Sequence, residues 1–297
     1  MNYVFFGSAS FSIFVLDELE KVGMPPKLVV TTPDKPVGRG LVLTPTPVKT
    51  WALKRNISVL DPAKLDAAFV AELTQKSTDL NCDTFVVAAY GKIIPQAVLD
   101  IPKHKTLNIH PSLLPLYRGA SPLQSAMLDD AKHTGVTIMR IDELMDHGPI
   151  VAQKKITVGE WPVYEVFEET MAREGGKLLA EILPDWVAGG ISETPQDHAT
   201  ATFTKKITKN DALIDVSVPA NSPEAYLNFR KIQAYHEWPT AYFFAEKKDS
   251  SSKIRVKITR ARFEKTGPTS GTLVIEKVIP EGKAETDARP YLPKNQN

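Results

Sequence analysis

The 297-residue sequence has almost no cysteine: Cys82 is the only one. This excludes an internal disulfide and any cysteine-rich zinc site, and no other cluster of metal ligands is evident, so we expect no metal. No run approaches the ~18 consecutive apolar residues that a membrane-spanning helix needs. The first residues also lack a basic segment followed by an apolar stretch, so we expect no signal peptide. Together these absences predict a cytoplasmic protein that does not enter a membrane.

The sequence has little net charge, +1 overall, but the charge is unevenly distributed. Residues 204–297 hold 17 Lys and Arg against 11 Asp and Glu, while the remainder holds 19 against 24. A basic module attached to an acidic one is typical of proteins that bind nucleic acid. A lysine-rich solvated surface would give the same asymmetry, so the charge alone leaves both readings open.

The first half of the sequence alternates between strand and helix patterns. Helical spacing of apolar residues follows the first strand, between Phe11 and Leu19, and recurs in Tyr164–Leu183. The predicted strands are Tyr3–Phe6, Leu28–Val30, Thr84–Ala88, Thr106–Ile109, Val136–Ile141 and Ile150–Ile156. This alternation predicts an α/β fold of Rossmann-like type with a mostly parallel sheet.

The composition changes near residue 189, where two glycines should end the long helix. We therefore predict a catalytic domain over residues 1–188, a linker over 189–204 and a small β-rich domain over 205–297. Strand-like runs in this last part are Thr240–Phe244, Ile254–Ile258 and Thr272–Val278. From Glu281 the chain is polar and contains two prolines, so we expect a disordered tail.

Two segments do not fit the alternating pattern. Thr31–Lys49 contains four prolines and two glycines, too broken for a regular element and too long for an ordinary turn. His110–Gly119 follows directly after a predicted strand. Long irregular loops in compact domains are usually functional or disordered, so both segments are candidates for substrate contact.

Asn108 and His110 are the first candidates for chemistry. Ligands of open α/β sheets bind beyond the carboxyl ends of the strands, and residues two apart in a strand point to the same side. An amide donor and an imidazole would then face one substrate atom, as acyl transfer requires. Strand-end residues of these types also serve as ordinary turn caps, so the pair alone does not decide.

The acidic candidates are Asp142, Glu143 and Asp146, in the segment that follows the predicted strand Val136–Ile141. Asp146 precedes His147-Gly148-Pro149, a turn that could fix its carboxylate. The alternative is a solvated acidic loop, which we favour for Asp142 and Glu143 taken singly. The turn at Gly7 and Ser8 has the composition of an anion-binding turn but lacks a dinucleotide fingerprint, so we expect an ordinary strand-to-helix turn near the substrate.

The motifs resemble those of the folate-dependent formyltransferases. Asn108-Ile109-His110-Pro111-Ser112-Leu113-Leu114-Pro115 matches their Asn-x-His-x-Ser-Leu-Leu-Pro hallmark, and the match continues through Tyr117–Pro122. Thr134–Met139 and Asp146-x-Gly148 match the next blocks. The motifs occur in the family's order across most of residues 1–204.

Within this group the chain is most similar to the methionyl-tRNA formyltransferases. Pro33–Gly40, followed by Thr44–Lys49, resembles the loop that enters the acceptor-stem region of the tRNA in that family, and the resemblance gives Arg39 a role in tRNA recognition. The basic second module is similar to the family's OB-like C-terminal β-barrel. It is shorter here than in the family, which is compatible with a truncated barrel. His147 stands where the family usually has threonine.

The resemblance implies that 10-formyltetrahydrofolate donates a formyl group to the methionine of initiator tRNA, in a monomer without metal. Asn108, His110 and Asp146 would be catalytic, and Arg39, Gly7 and Ser8 would contact the acceptor. The folate would lie between Ala88–Ile94 and Ile141–Asp146, against Ser112–Pro115. The residues implied in folate binding are Tyr90, Gly91, Ile93, Ser112, Leu113, Leu114, Pro115 and Asp142.

Three other functions remain compatible with these residues. A sugar N-formyltransferase would use the same Asn/His/Asp set on a nucleotide-linked amino sugar. A glycinamide ribonucleotide formyltransferase or a formylfolate hydrolase would not need the proline-rich loop. A non-catalytic RNA-binding protein could retain the fold, and it would bind without turnover.

Overall fold

A computed structural model describes residues 1–38, 40–247 and 250–293. Its helices are α1 (Ser10–Lys21), α2 (Pro47–Leu53), α3 (Ala67–Asp79), α4 (Gln96–Leu99), α5 (Pro122–Leu128), α6 (Tyr164–Val187) and α7 (Pro223–Ala234). Its first strands are β1 (Tyr3–Gly7), β2 (Leu28–Val30), β3 (Lys35–Val37), β4 (Val42–Thr44), β5 (Ser58–Leu60), β6 (Thr84–Ala88) and β7 (Thr106–His110). The later strands are β8 (Arg118–Gly119), β9 (His133–Arg140), β10 (Ile150–Thr157), β11 (Phe203–Thr204), β12 (Tyr242–Lys247), β13 (Ser250–Lys265), β14 (Gly271–Pro280) and β15 (Thr286–Asp287).

The chain divides into two compact units, and neither is continuous in sequence. The first contains residues 1–119, 133–157 and 168–204, and the second contains residues 120–132, 158–167 and 205–297. The second unit therefore includes two short segments that lie in sequence between parts of the first unit, in addition to the C-terminal region.

The first unit is built on a seven-stranded sheet in the order β10-β9-β7-β6-β1-β2-β5. Strands β7, β6, β1, β2 and β5 are parallel, while β9 and β10 are antiparallel to their neighbours. The strands β1, β2 and β6 are buried along their whole length, as expected of central parallel strands. This confirms the predicted α/β fold with a mostly parallel sheet.

Two glycines in the middle of α6 let this helix approach its neighbours. A Cβ on Gly175 would lie 2.6 Å from the side chain of Ile109, and one on Gly176 would lie 3.0 Å from the carbonyl oxygen of Val15. Glycine usually weakens a helix, but here it removes a side chain that would separate α6 from the sheet and from α1. The helix then ends before Gly189, at φ +76°, as the sequence predicts.

The second unit contains a four-stranded antiparallel sheet in the order β12-β13-β14-β15. Its core includes Phe243, Val256, Ile258 and Val278, with α7 packed on β13 and β14. This confirms a small β-rich, barrel-like C-terminal region. Helix α7 was not predicted, although Ser222 caps it and Pro223 stands at its first position.

Two predictions about irregular segments are corrected. Thr31–Lys49 contains the hairpin β3–β4 and the start of α2, which Thr46 caps by accepting from the Lys49 amide. The segment from Glu281, which we expected to be disordered, includes β15 paired with β14, because Ala288 is fully buried and anchors it. Residues 294–297 lie outside the described part of the chain.

Candidate active site

Asn108 and His110 lie at the carboxyl end of β7, inside the large sheet. Strand β7 runs between β6 and β9, and Asn108 stands opposite Val87 on one side and Met139 on the other. Because side chains alternate along a strand, Thr106, Asn108 and His110 share one face of β7. The sheet therefore presents three polar side chains in a row.

The His110 ring is buried between two oxygen atoms. Its Nε2 lies 2.9 Å from the carbonyl oxygen of Tyr117, and its Nδ1 lies 3.6 Å from Oδ1 of Asp146. A carbonyl oxygen can only accept, so Nε2 carries hydrogen and donates. The other edge of the ring faces a carboxylate at a distance slightly longer than a hydrogen bond. The Nε2 edge of the ring is therefore engaged by Tyr117, and the Nδ1 edge faces Asp146.

Asp146 is held in an uncommon backbone conformation. Its φ of +51° lies in the left-handed region, which non-glycine residues adopt infrequently. The second carboxylate oxygen, Oδ2, accepts a hydrogen bond of 2.7 Å from the amide of Gly119. The carboxylate is therefore fixed between His110 and β8.

The turn after Asp146 has no room for a side chain at Gly148. A Cβ there would lie 1.8 Å from the carbonyl oxygen of Arg140, so Gly148→Ala must displace backbone. We expect a loss of about 1–3 kcal/mol in the free energy of unfolding, together with lower activity because the Asp146 turn moves. Urea unfolding and turnover measure the two effects.

Gly159→Ala is the matched control, because nothing lies within 4 Å of a Cβ at Gly159. If Gly148→Ala has the same free energy of unfolding and the same turnover as the wild type and this control, the turn at Gly148 is not rigid.

The side-chain amide of Asn108 is half-buried and makes no hydrogen bond to any described residue. It lies on the same face as His110 and is available to a ligand. The structure thus brings together all three residues that the sequence singled out as catalytic: His110 and Asp146 by proximity, and Asn108 by its place on β7.

The segment after β7 is fixed by its own hydrogen bonds. The buried Ser112 hydroxyl donates to the carbonyl of Leu116, and Thr137 donates to the carbonyl of Ser112. The buried Leu114 amide donates to Thr137 Oγ1. Leu113 and Pro115 are half-buried, and the Leu114–Pro115 peptide bond is cis.

The loop after β6 carries three residues implied in folate binding. The Tyr90 ring packs edge-on against Phe6, with ring centres 5.4 Å apart, and burial raises the pKa of its hydroxyl to about 12. That hydroxyl has no hydrogen-bond partner among the described residues. Gly91 adopts φ +79°, and Ile93 is 94% exposed.

The turn between β1 and α1 is connected to the proline-rich segment. A Cβ on Gly7 would lie 2.7 Å from the Ser12 hydroxyl, so this position is closely packed. The Ser8 hydroxyl accepts from the Thr32 amide and lies 3.3 Å from the Thr31 hydroxyl. Ser8 therefore supports the start of the Thr31–Lys49 segment.

The root of the hairpin β3–β4 is closed by a lysine between two carboxylates. Lys49 Nζ lies 2.8 Å from Asp34 and 2.7 Å from Asp61, and the hydrogen bond to Asp34, followed by that to Asp61, raises the pKa of Lys49. The hairpin exposes large apolar side chains, including Leu41 and Val42. Arg39, between the two strands, lies outside the described residues.

A cleft of about 380 Å³ opens in the first unit. Its walls come from α4, from the start of β7 and from the segment after β9. The lining residues are Gln96, Leu99, Asp100, Lys105, Thr106, Arg140, Ile141, Asp142, Glu143, Leu144 and His147. Of the residues implied in folate binding, Asp142 is in this lining, while Tyr90, Gly91, Ile93 and Ser112–Pro115 are not.

Thr106 is a polar residue of the cleft that the sequence reading missed. Its hydroxyl is buried and has no hydrogen-bond partner in the described part of the chain. The signal was present, because Thr106 precedes Asn108 by two residues on the same strand face. One face of β7 therefore leads from the cleft at Thr106, past Asn108, to the pair of His110 and Asp146.

Gln196 was also missed. It lies in the polar segment after α6, which we had taken for a linker, yet only 5% of its surface is exposed. Its side chain donates to the carbonyls of Asp146 and Gly148 and accepts from Arg118. These contacts join residues 48 to 78 positions apart, so no local pattern in the sequence could indicate them.

No group of three His, Cys, Asp or Glu residues with the geometry of a metal site occurs in the part of the chain that the structure describes. Within those same ranges, no helix has both the length and the apolar character that a membrane span requires.

Comparison with known families and proteins identifies related sequences. The profile of the formyl transferase family matches residues 1–183. A methionyl-tRNA formyltransferase from Chloroflexus aggregans is 44% identical over 244 residues, covering 82% of this chain and 76% of that protein. A methionyl-tRNA formyltransferase from Listeria monocytogenes serotype 4a is 36% identical over 308 residues, covering 97% and 94%.

Solved structures share the architecture at low identity. A sugar N-formyltransferase from a Shewanella species has a TM-score of 0.60 at 17% identity, covering 85% of this chain and 95% of that one. HypX from Aquifex aeolicus, solved in complex with tetrahydrofolic acid, has a TM-score of 0.62 at 16% identity, covering 97% and 46%. At these identities the similarity shows the fold alone.

Proposed function

The chain belongs to the formyl transferase family, and we infer from this premise that it is an enzyme that formylates the amino group of methionyl-tRNA. The observation that supports this function best is the polar face of β7. It places an unengaged amide, Asn108, between a cleft and the pair of His110 and Asp146. Acyl transfer needs such a set, since it requires a donor for the oxyanion and a group that moves a proton.

We propose that the donor is 10-formyltetrahydrofolate and that its pteridine ring enters the cleft. The lining fits a ring whose edge carries both donors and acceptors, because it offers the Thr106 hydroxyl, Asp142 and the side chain of Gln96. Tyr90, Gly91, Ile93 and Ser112–Pro115 would contact the rest of the donor. Bound there, the donor supplies the formyl group at the level of Asn108.

In the proposed reaction the α-amine of the methionyl ester attacks the formyl carbon, and the carbonyl oxygen becomes an oxyanion. The Asn108 amide donates a hydrogen bond to this oxygen. The Nε2–H of His110 donates to it as well, in place of its hydrogen bond to the Tyr117 carbonyl. Asp146 keeps the ring oriented and assists transfer of the amine proton to the folate nitrogen as its bond to the formyl carbon breaks. Formylmethionyl-tRNA and tetrahydrofolate are the products.

We propose that tRNA contacts come from two places. In the first unit these are Arg39, which lies in sequence between β3 and β4, together with Gly7 and Ser8; the Ser8 hydroxyl also accepts from the Thr32 amide at the start of this segment. In the second unit, β13 alternates between buried Ile254 and Val256 on one face and Lys253, Arg255 and Lys257 on the other. A basic stripe of this kind suits a phosphate backbone. We retain 1–188, 189–204 and 205–297 as the proposed catalytic domain, linker and tRNA-binding region of a monomer.

Arg39→Leu is expected to raise KM for initiator methionyl-tRNA about tenfold, the equivalent of losing about 1.4 kcal/mol of binding. KM for the folate should not change, since the hairpin is not part of the cleft lining. Steady-state kinetics with each substrate varied in turn give both constants. Unchanged KM values for both substrates would contradict the role of Arg39.

The release of tetrahydrofolate tests the function as a whole. We expect release from 10-formyltetrahydrofolate only when charged tRNA is present, in equal amount to formylmethionyl-tRNA. Release without any acceptor would identify a formylfolate hydrolase. Binding of tRNA without release would identify a non-catalytic RNA-binding protein.

A further inference from the structure

We propose that Gln196 is a positioning residue that holds the turn of Asp146 in its working conformation, and that Arg118 fixes the orientation of Gln196. The inference rests on the proposed function of Asp146. Neither residue touches the substrates in this proposal, because Arg118 and Gln196 are 3% and 5% exposed.

Arg118 determines which end of the Gln196 amide is oxygen. Its Nε and Nη2 lie 3.1 Å and 2.7 Å from the same Gln196 atom, Oε1. A guanidinium group has donors only, so the atom that it contacts twice must be an acceptor. The other end of the amide is therefore the NH2 group, with two hydrogens to donate.

That NH2 group binds the backbone on both sides of His147. It donates to the carbonyl of Asp146 at 3.0 Å and to the carbonyl of Gly148 at 2.7 Å. Asp146 adopts φ +51°, in the left-handed region that non-glycine residues adopt infrequently. The two hydrogen bonds hold the turn in this conformation from outside.

A second arm of the network reaches the cleft. Arg118 Nη2 lies 2.8 Å from Nδ1 of His198, whose ring stacks on His147 with centres 4.0 Å apart and planes 1° apart. His147 in turn lies 2.7 Å from the Asp142 carboxylate, which lines the cleft. Buried Arg118 therefore supports the Asp146 turn through Gln196 and the cleft wall through His198.

Gln196→Glu separates positioning from simple packing. A glutamate still accepts from Arg118 and gains an ion pair with it, but a carboxylate cannot donate to the two carbonyls. If Gln196 only anchored Arg118, this variant would be as active as the wild type. The positioning account predicts a fall in kcat on the order of 10- to 100-fold with both KM values unchanged, because a small misplacement of a catalytic group costs that much.

Gln196→Met tests the same point without added charge, since it keeps the length of the side chain and removes both its donors and its acceptor. We expect a similar fall in kcat. Gln75→Met is the matched control, because Gln75 is exposed on α3 and bonds only Asp79. Thermal unfolding of all variants shows whether a loss of activity simply follows a loss of folded protein, which would overturn the inference.

A double-mutant cycle with Asp146→Asn closes the test. If Gln196 acts through Asp146, Gln196→Met should lower the residual kcat of Asp146→Asn very little, although it lowers that of the wild type. If the fold-losses in kcat of the two single variants multiply in the double variant, the inference is overturned. An active Asp146→Asn would instead contradict the proposed function of Asp146, so the two failures are distinguishable.

Discussion

Asn108→Ala is expected to lower kcat on the order of 10²- to 10³-fold, the typical cost of removing one oxyanion donor. The Asn108 amide makes no hydrogen bond to a described residue, so its removal leaves no partner unsatisfied. The free energy of unfolding and both KM values should therefore stay close to those of the wild type. Steady-state kinetics and urea unfolding on the same preparation measure these quantities.

Two further variants make the Asn108 result interpretable. Asn108→Asp keeps the shape but replaces the donor by a negative charge beside the developing oxyanion, so it should be at least as inactive as alanine. Asn210→Ala, at an exposed position outside the proposed catalytic domain, should leave kcat and KM for the folate unchanged. Substantial turnover by Asn108→Ala would remove the oxyanion role from this residue.

Asp146→Asn is expected to lower kcat on the order of 10²- to 10⁴-fold, the range attributed to a positioned proton-transfer group. Asparagine still accepts the hydrogen bond from the Gly119 amide, so the turn should keep its shape. The negative charge that faces His110 at 3.6 Å is lost, and with it the orientation of the ring and the path for the amine proton. KM for the tRNA should be unchanged.

Asp185→Asn is the control for this carboxylate, since Asp185 is exposed on α6. If Asp146→Asn binds both substrates, folds normally and turns over at the wild-type rate, then Asp146 carries no proton in the reaction. If activity falls only because folate binding weakens, the carboxylate belongs to the donor site instead.

The central strands of the large sheet could be predicted because they are buried on both faces, whereas the edge strand β5, which is partly exposed, was missed. Thr84–Ala88, for example, is an unbroken apolar run, and the strand has those exact bounds. Helix α3 was missed because it buries only Phe69, Leu73 and Ser77 along thirteen residues, which leaves a weak period in the sequence. The hairpin β3–β4 was missed because both strands are exposed and so lack the alternation that burial imposes.

Part of the candidate site could also be predicted, because it lies on a strand that the sequence identifies. Asn108 and His110 lie at the end of a recognisable strand, and the carboxyl ends of strands are where ligands bind in open sheets. The contacts of Gln196 with Asp146 and Arg118 depend on chain segments that only the folded protein brings together. The cleft at Thr106 depends likewise on how α4 lies against β7.

The most direct test is a competition between acceptors in one reaction. The protein would receive 10-formyltetrahydrofolate together with initiator methionyl-tRNA and a nucleotide-linked amino sugar, and mass spectrometry would identify the formylated product. We predict formylmethionyl-tRNA alone. Formylation of the sugar alone would keep Asn108, His110 and Asp146 in their proposed roles but would contradict the assignment of methionyl-tRNA as the acceptor.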